Sequence, residues 1–370
     1  MKAVGIILAG GSSERLGELT NERASSAMPV GSCYRCLDFS LSCMSNSGIG
    51  KVAVITQYNA RSLHDHLSSA KWWDIGRKQG GLFIFSPYLS NSNNMWFRGT
   101  AESIYQNLTY LKRSNEPYVV IASGNCVYKM DFNEVVNHHI KKESDVTVVY
   151  RKAAENEDLR NFGIIEMDGS EQISDFEEKP LDPQSDSISM GIYVIQRTLL
   201  IKLLEAVQSE GRFDLVKDVF IRYRRRLKMF GYRFDGYWKS LIDIKSYYDC
   251  NMDFLRKDVR DLFTKDYPYI ETKPKDEPPA KFNNGAEAKN CLTGSGAIIN
   301  GRMERSVIFR KVYTGENSHI SNSIIMEGSY VGNNCRVDYA IIDKEVVLSD
   351  GVNITGSYEN PVIISKGSVV

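Results

Sequence analysis

Along the first two-thirds of the chain, short apolar runs alternate with stretches in which apolar residues recur every three or four positions. The runs Val4–Ala9, Lys51–Thr56, Leu82–Ser86, Tyr118–Ala122, Asp145–Tyr150, Phe162–Met167, Met190–Ile195 and Lys228–Phe234 predict strands. Between them Ala101–Lys112, Asn133–Lys142 and Leu199–Gln208 carry a helical period. Strands alternating with helices through short connections predict an α/β fold with a mostly parallel sheet covered on both faces. In such sheets ligands gather at the carboxyl ends of strands, here around Gly10-Gly11, Gly124-Asn125 and the segment after Tyr237-Trp238.

The pattern changes after residue 255. Residues 256–284 are charged and proline-rich, with Pro268, Pro274, Pro278 and Pro279, and predict a linker. From 285 to 370 Ile320, Ile325, Val331, Val337, Ile342 and Val347 recur every five or six residues, with Gly, Asn, Asp and Ser between them. That beat suits a left-handed parallel β-helix with three sides per coil, although periodicity alone also admits a β-sandwich. A solenoid exposes flat faces, and these commonly make subunit contacts.

Composition narrows the chemistry. The 370 residues hold 46 basic and 46 acidic side chains, a balance without general attraction to nucleic acid or anionic lipid. The run Arg222–Lys228 reads as the solvated end of a helix. Of seven cysteines, Cys33 and Cys36 form a Cys-x-x-Cys, but Cys43, Cys126, Cys250, Cys291 and Cys335 supply no second pair, so no metal site is expected. Free thiols, with neither a signal peptide nor a membrane span in view, point to the cytoplasm.

The turn Ala9-Gly10-Gly11-Ser12-Ser13-Glu14-Arg15 lets backbone N–H groups approach a polyphosphate and adds a fixed cation at its end; it also suits a plain tight βα turn. Beyond it runs an unbroken series: Leu19-Thr20, Arg23-Ala24, Ala27-Met28-Pro29-Val30-Gly31, Tyr34-Arg35, Leu37-Asp38-Phe39 and Asn46-Ser47-Gly48-Ile49. Further on come Thr56-Gln57-Tyr58, Trp96-Phe97-Arg98-Gly99-Thr100-Ala101, Tyr128-Lys129-Met130-Asp131, Phe176-Glu177-Glu178-Lys179-Pro180, Ser189-Met190-Gly191-Ile192-Tyr193 and Asp235-Gly236-Tyr237-Trp238. Across essentially its whole length the chain resembles the glucose-1-phosphate adenylyltransferases (ADP-glucose pyrophosphorylases). The resemblance implies a Rossmann-like, GT-A-like nucleotidyltransferase domain over residues 1–255 and a left-handed β-helix over 285–370.

Members of that family join ATP to glucose 1-phosphate, and a carboxylate-held Mg²⁺ and several cations neutralise the transition state. The resemblance places two metal aspartates at positions that here are Asn125 and Ser240, and lysines at positions that are Ser25 and Cys33. Ser13 replaces a loop glycine, and Ile242 stands where a glycine follows the second aspartate. Asp243 is expected to cap a helix. The lysine replaced by Cys33 is linked in the family to activator binding. If each lost group forfeits about 2–4 kcal/mol, two cost on the order of 10³–10⁵-fold in rate. No catalytic residue and no cofactor is therefore expected in this chain; Mg²⁺ would belong to an active sister subunit.

Other positions survive. Gly10, Gly11, Arg15, Gly99 and Thr100 would be nucleotide-site remnants; Glu178, Lys179, Ser189 and Gly191 would take a sugar phosphate, although Glu178–Lys179 also suits a solvated pair. Trp96 and Arg98 fall on a loop that relays activator signals in the family, and Trp96 equally suits ordinary packing. The pattern is similar to that of the non-catalytic, D-type regulatory subunits of the bacterial enzymes. It implies a hetero-oligomer with a catalytic sister chain in glycogen synthesis, a heterotetramer in the family, with glucose 1-phosphate or a glycolytic intermediate as effector. The competing expectation is a slow adenylyltransferase in its own right. The β-helix suggests no acyl transfer, since His319 stands alone.

Overall fold

The computed structural model describes residues 3–11, 14–76, 80–88, 96–155 and 157–370. Among these, nine strands form one sheet. Ala3–Ala9 lies between Lys51–Thr56 and Tyr118–Ser123, parallel to both, and Gly81–Phe85 extends the parallel side. The long strand Ser187–Gln196 runs antiparallel to Tyr118–Ser123 and to Val146–Lys152, which pairs in parallel with Met229–Arg233. Two-sided burial explains the apolar runs. Ala3, Ile7, Val52, Val54, Val120 and Ala122 face one core layer, and Val4, Ile6, Ala53, Ile55, Val119 and Ile121 face the other.

All eight predicted strands are present, within three residues at either end. A ninth, Ile173–Glu178, is an antiparallel edge strand against Gly163–Met167. Its exposed face carries Ser174 and Glu177, so it lacks the apolar run that betrays a buried strand. The helix expected over Ala101–Lys112 is broken at Asn107 into Thr100–Gln106 and Leu108–Lys112. The basic run Arg222–Lys228 does end a helical segment, the π-helix Leu215–Ile221.

The linker expected over 256–284 needs correction at both ends. Lys257–Thr264 is a helix that buries Val259 and Phe263, its apolar period hidden among charges. Lys281–Phe282 already pairs with Ile298–Ile299 as a rung of the solenoid.

Beyond it, the expected β-helix consists of three parallel sheets of five strands each among the described residues. One sheet pairs Ile298 with Tyr313, Tyr313 with Tyr330 and Tyr330 with Val347, steps of 15, 17 and 17 residues. Ile299, Val331 and Leu348, Met303, Ile320 and Val337, and Ile308, Ile325 and Ile342 fill the interior. Val347 is the exception to the apolar beat: its neighbour Leu348 points inward and Val347 outward. The three faces differ. One carries Val307, Ile324 and Ile341 into the core of the first domain. The second presents Arg302, His319 and Arg336 to solvent. The third carries the ladder from Ile298 to Val347.

The two domains are pinned together. Arg23 and Asp343 form a buried ion pair at 2.7 Å, their side chains 6 % and 2 % exposed. The Tyr248 hydroxyl donates to Asn322 O at 2.7 Å, and Lys366 pairs with Glu22 at 2.6 Å. None of the helices among the described residues is long and apolar enough to cross a membrane.

Candidate functional site: a glycine-lined cleft and a basic pocket

The first strand ends at Ala9, and Gly10 and Gly11 line a cavity of about 220 Å³ with Gln57, Tyr58, Phe97, Arg98, Gly99 and Thr100. Two segments far apart in sequence thus share one cavity. Gly99 is obligatory there. A Cβ on it would lie 2.4 Å from Phe213 O, while the adjoining chain is tied to the same segment by Ala101 N–H to Phe213 O and Leu215 N–H to Thr100 Oγ1. Ser13 lies outside the described residues. Arg15, expected to face phosphate, is exposed and donates instead to Asn161 Oδ1.

Trp96 is 63 % exposed and stacks on Tyr58, with ring planes 1° apart and centroids 6.2 Å apart, so it is no core tryptophan. Arg98 is held by Glu102, which accepts from its backbone N–H at 2.6 Å and from Nε at 3.0 Å, and its guanidinium lies 3.7 Å from the Phe213 ring centre. Burial pushes the Glu102 carboxyl up, but Arg98 outweighs it and holds the group below the usual range.

Asn125 and Ser240 come together at one corner. Trp238–Ser240 pairs antiparallel with Cys126–Tyr128, placing Ser240 opposite Cys126, and Leu241 N–H donates to Asn125 O at 2.9 Å. Asn125 Oδ1 accepts from Ser123 Oγ at 2.6 Å, and its amide donates to Leu241 O at 3.4 Å. Both ends of the amide are therefore engaged within the protein. An amide and a hydroxyl are neutral donors and acceptors, and a doubly charged hard cation prefers carboxylates. These residues do not fit the Mg²⁺ that the fold family implies. Among the described residues no group of three or more His, Cys, Asp or Glu side chains is placed to hold a metal ion. Asp131 and Asp243 are engaged elsewhere, as N-caps accepting from Asn133 N–H and Ser246 N–H, both at 2.8 Å. Ser25 is buried in the short turn Ser25–Ala27.

Of the residues expected to take a sugar phosphate, Gly191 lies near this corner through Ser123. Gly191 has φ +69° at a bulge in its strand, where a Cβ would sit 3.4 Å from Ser123 Cβ. Ser189 is buried, its Oγ 3.3 Å from the Tyr193 hydroxyl. Glu178 is half-buried, and burial pushes its carboxyl up against the opposing pull of Lys179. Lys179 is exposed, with its backbone N–H donating to Phe162 O at 3.0 Å. These four residues lie outside the cavity that Gly10 and Gly99 line.

Cys33 falls somewhere else altogether. With Arg35, Lys273, Lys275, Arg310, Glu327 and Lys344 it lines a cavity of about 130 Å³ at the junction of the two domains. Five cations meet one carboxylate. Lys344 pairs with Glu327 at 3.1 Å, and burial, reinforced by Arg35, pushes its amine down to about 8. Burial alone would raise Glu327, but Lys344 and Arg310 hold it low. The backbone N–H of Lys344 donates to Asp343 Oδ1 at 2.6 Å, so the buried Arg23–Asp343 pair lies one residue along the chain from the pocket's lysine. Only Cys33 stands out here in the sequence, because the cations Arg35, Lys273, Lys275, Arg310 and Lys344 come from widely separated parts of the chain.

Comparison with known proteins agrees with this architecture. Residues 4–257 match the nucleotidyl transferase family, and residues 278–360 match the GlmU-like C-terminal hexapeptide family, whose repeats build left-handed β-helices. Over 372 aligned residues the chain is 37 % identical to proteins named glucose-1-phosphate adenylyltransferase from Bacillus thuringiensis (strain Al Hakam) and Bacillus anthracis, and 36 % identical to one from Bacillus mycoides (strain KBAB4). Each alignment covers 99 % of this chain and 98 % of the relative.

Proposed function

Since the chain belongs to the glucose-1-phosphate adenylyltransferase family, we propose that it is a catalytically silent, regulatory member that assembles with an active sister chain and raises its output of ADP-glucose. One observation supports this reading: Asn125 and Ser240, the positions at which the resemblance puts the family's metal carboxylates, are neutral and lie at one corner. Two highly charged anions brought together there would meet no carboxylate-held cation at these two positions, and positioned charge is the larger part of catalysis in phosphoryl chemistry. The junction pocket supports the regulatory half. Arg35, Lys273, Lys275, Arg310 and Lys344 suit an anionic metabolite such as a sugar phosphate, and Lys344 reaches the loop at Arg23 through Asp343. Such an effector would act on the assembly through contacts between chains.

The test is a pyrophosphate-release assay of this chain alone, of the catalytic chain alone, and of the two co-purified. Silence alone with enhancement together is the expected outcome. Turnover by the isolated chain at rates ordinary for enzymes, about 1–10³ s⁻¹, would refute it. The second reading, a slow adenylyltransferase, draws on the cavity that still brings Gly10, Gly11, Gly99 and Thr100 together. It predicts a low, ATP-dependent rate that co-purification leaves unchanged.

A further inference from the structure

A third cavity, of about 780 Å³, shares no lining residue with the two described above. Its volume falls within the roughly 300–1,000 Å³ of small-molecule sites. Besides the buried Trp73, three aromatic side chains line it: Trp72, Tyr267 and Tyr269. Tyr267 is 84 % exposed, Tyr269 is 45 % exposed and Trp72 is half-buried. The two tyrosine rings meet at 89° with centroids 5.8 Å apart, like two walls of a corner. Tyr267 buries too little of its ring to matter to the core. The backbone that carries these rings is nevertheless fixed. Asn46 Nδ2 donates to Tyr269 O at 2.9 Å, and Glu271 N–H donates to Ser42 Oγ at 2.9 Å. Trp73, next to Trp72, donates from Nε1 to Glu271 O at 3.0 Å. Rings held ready in this way cost a ligand little ordering entropy.

The charges around the rings say what kind of ligand fits. Asp74, Asp131 and Glu271 stand on the same lining as Lys71 and Lys129. Lys129 directs its ammonium at Leu262 O, at 2.8 Å, and Asp266 O, at 2.5 Å. Lys71 lies over the Trp72 ring, 4.3 Å from its centre. Neither lysine is set to clasp a phosphate beside three carboxylates, and both oppose a cationic guest. Mixed donors and acceptors around bare aromatic faces suit a neutral polyol instead. A sugar ring carries C–H groups on its flat faces, which pack on aromatic rings, and hydroxyls around its edge, which both donate and accept. We propose that this cleft binds a short neutral oligosaccharide. Tyr267 and Tyr269 take the face of one sugar unit, and Trp72 takes that of a second. Lys71, Asp74 and Glu271 exchange hydrogen bonds with the hydroxyls. This inference is independent of how the corner at Asn125 and the junction pocket are read.

Calorimetric titration of the intact chain with maltotriose and with cellotriose tests it, the two probes differing in linkage. At least one should bind with a Kd of about 0.1–1 mM. Tyr267→Ala should weaken that binding about tenfold, with the melting temperature unchanged because the ring already lies in solvent. Tyr269→Ala should weaken it by a similar factor. Tetramethylammonium and inorganic phosphate probe the cationic and anionic alternatives, and neither should displace the sugar. Failure of both trisaccharides to bind at about 20 mM would overturn the proposal. So would sugar binding indifferent to both tyrosine variants, which would put the sugar elsewhere, or displacement of the sugar by either ion.

Discussion

Two corners of this molecule differ in the charge they carry. At the cleft, Asn125 and Ser240 bring no charge, and Asn125 spends both ends of its amide on Ser123 and Leu241. At the domain junction five cations surround Glu327, and burial leaves Lys344 near its titration point. On the proposed reading, charge that would hold a phosphate is gathered in the second corner, while charge that would steady a reacting one is absent from Asn125 and Ser240 in the first. Binding and chemistry are separable on that reading, because each would depend on its own few charged groups.

The comparison breaks most decisively if chemistry can be restored. Asn125→Asp with Ser240→Asp and Ser25→Lys should raise pyrophosphate release by on the order of 10³-fold or more if the cleft is only disarmed. A triple variant as silent as the parent would place the defect elsewhere. The next effect is structural. Arg23→Met leaves Asp343 buried without its partner and should cost about 3–5 kcal/mol, read as a lower denaturation midpoint. Third, Lys344→Met should weaken phosphate binding at the junction about tenfold by calorimetry. The pH dependence has a definite sign: Lys344 is charged at pH 7 and loses its proton as pH rises through about 8, so phosphate affinity falls from pH 7 to pH 9. The Met variant should show a flatter profile. The smallest change sharpens the contrast: Cys33→Lys adds a sixth cation to the pocket rim and should tighten phosphate binding a few-fold while leaving the cleft silent.

Much of the fold was legible in the chain itself. Val4–Ala9 and Lys51–Thr56 are apolar on both faces, the mark of a central parallel strand, and they form one. Ile173–Glu178 escaped because an edge strand needs only one apolar face, and Lys257–Thr264 escaped because Val259 and Phe263 sit among mostly polar residues. Asn125 and Ser240 stand out in the sequence only through the resemblance, and their adjacency depends on the pairing of Ser240 with Cys126, which no local pattern encodes. The junction pocket was invisible for the same reason. Arg35, Lys273 and Arg310 are ordinary surface residues until the solenoid docks and collects them.

That docking has a practical corollary. Val307, Phe309, Ile324, Met326 and Ile341 of the solenoid belong to one continuous core with Tyr247, Tyr248 and Phe254 of the first domain. Severing the polypeptide near residue 280 would bare that shared interior on both fragments. The halves should melt as one unit, and a swapped-in solenoid would have to bring a matching greasy wall of its own.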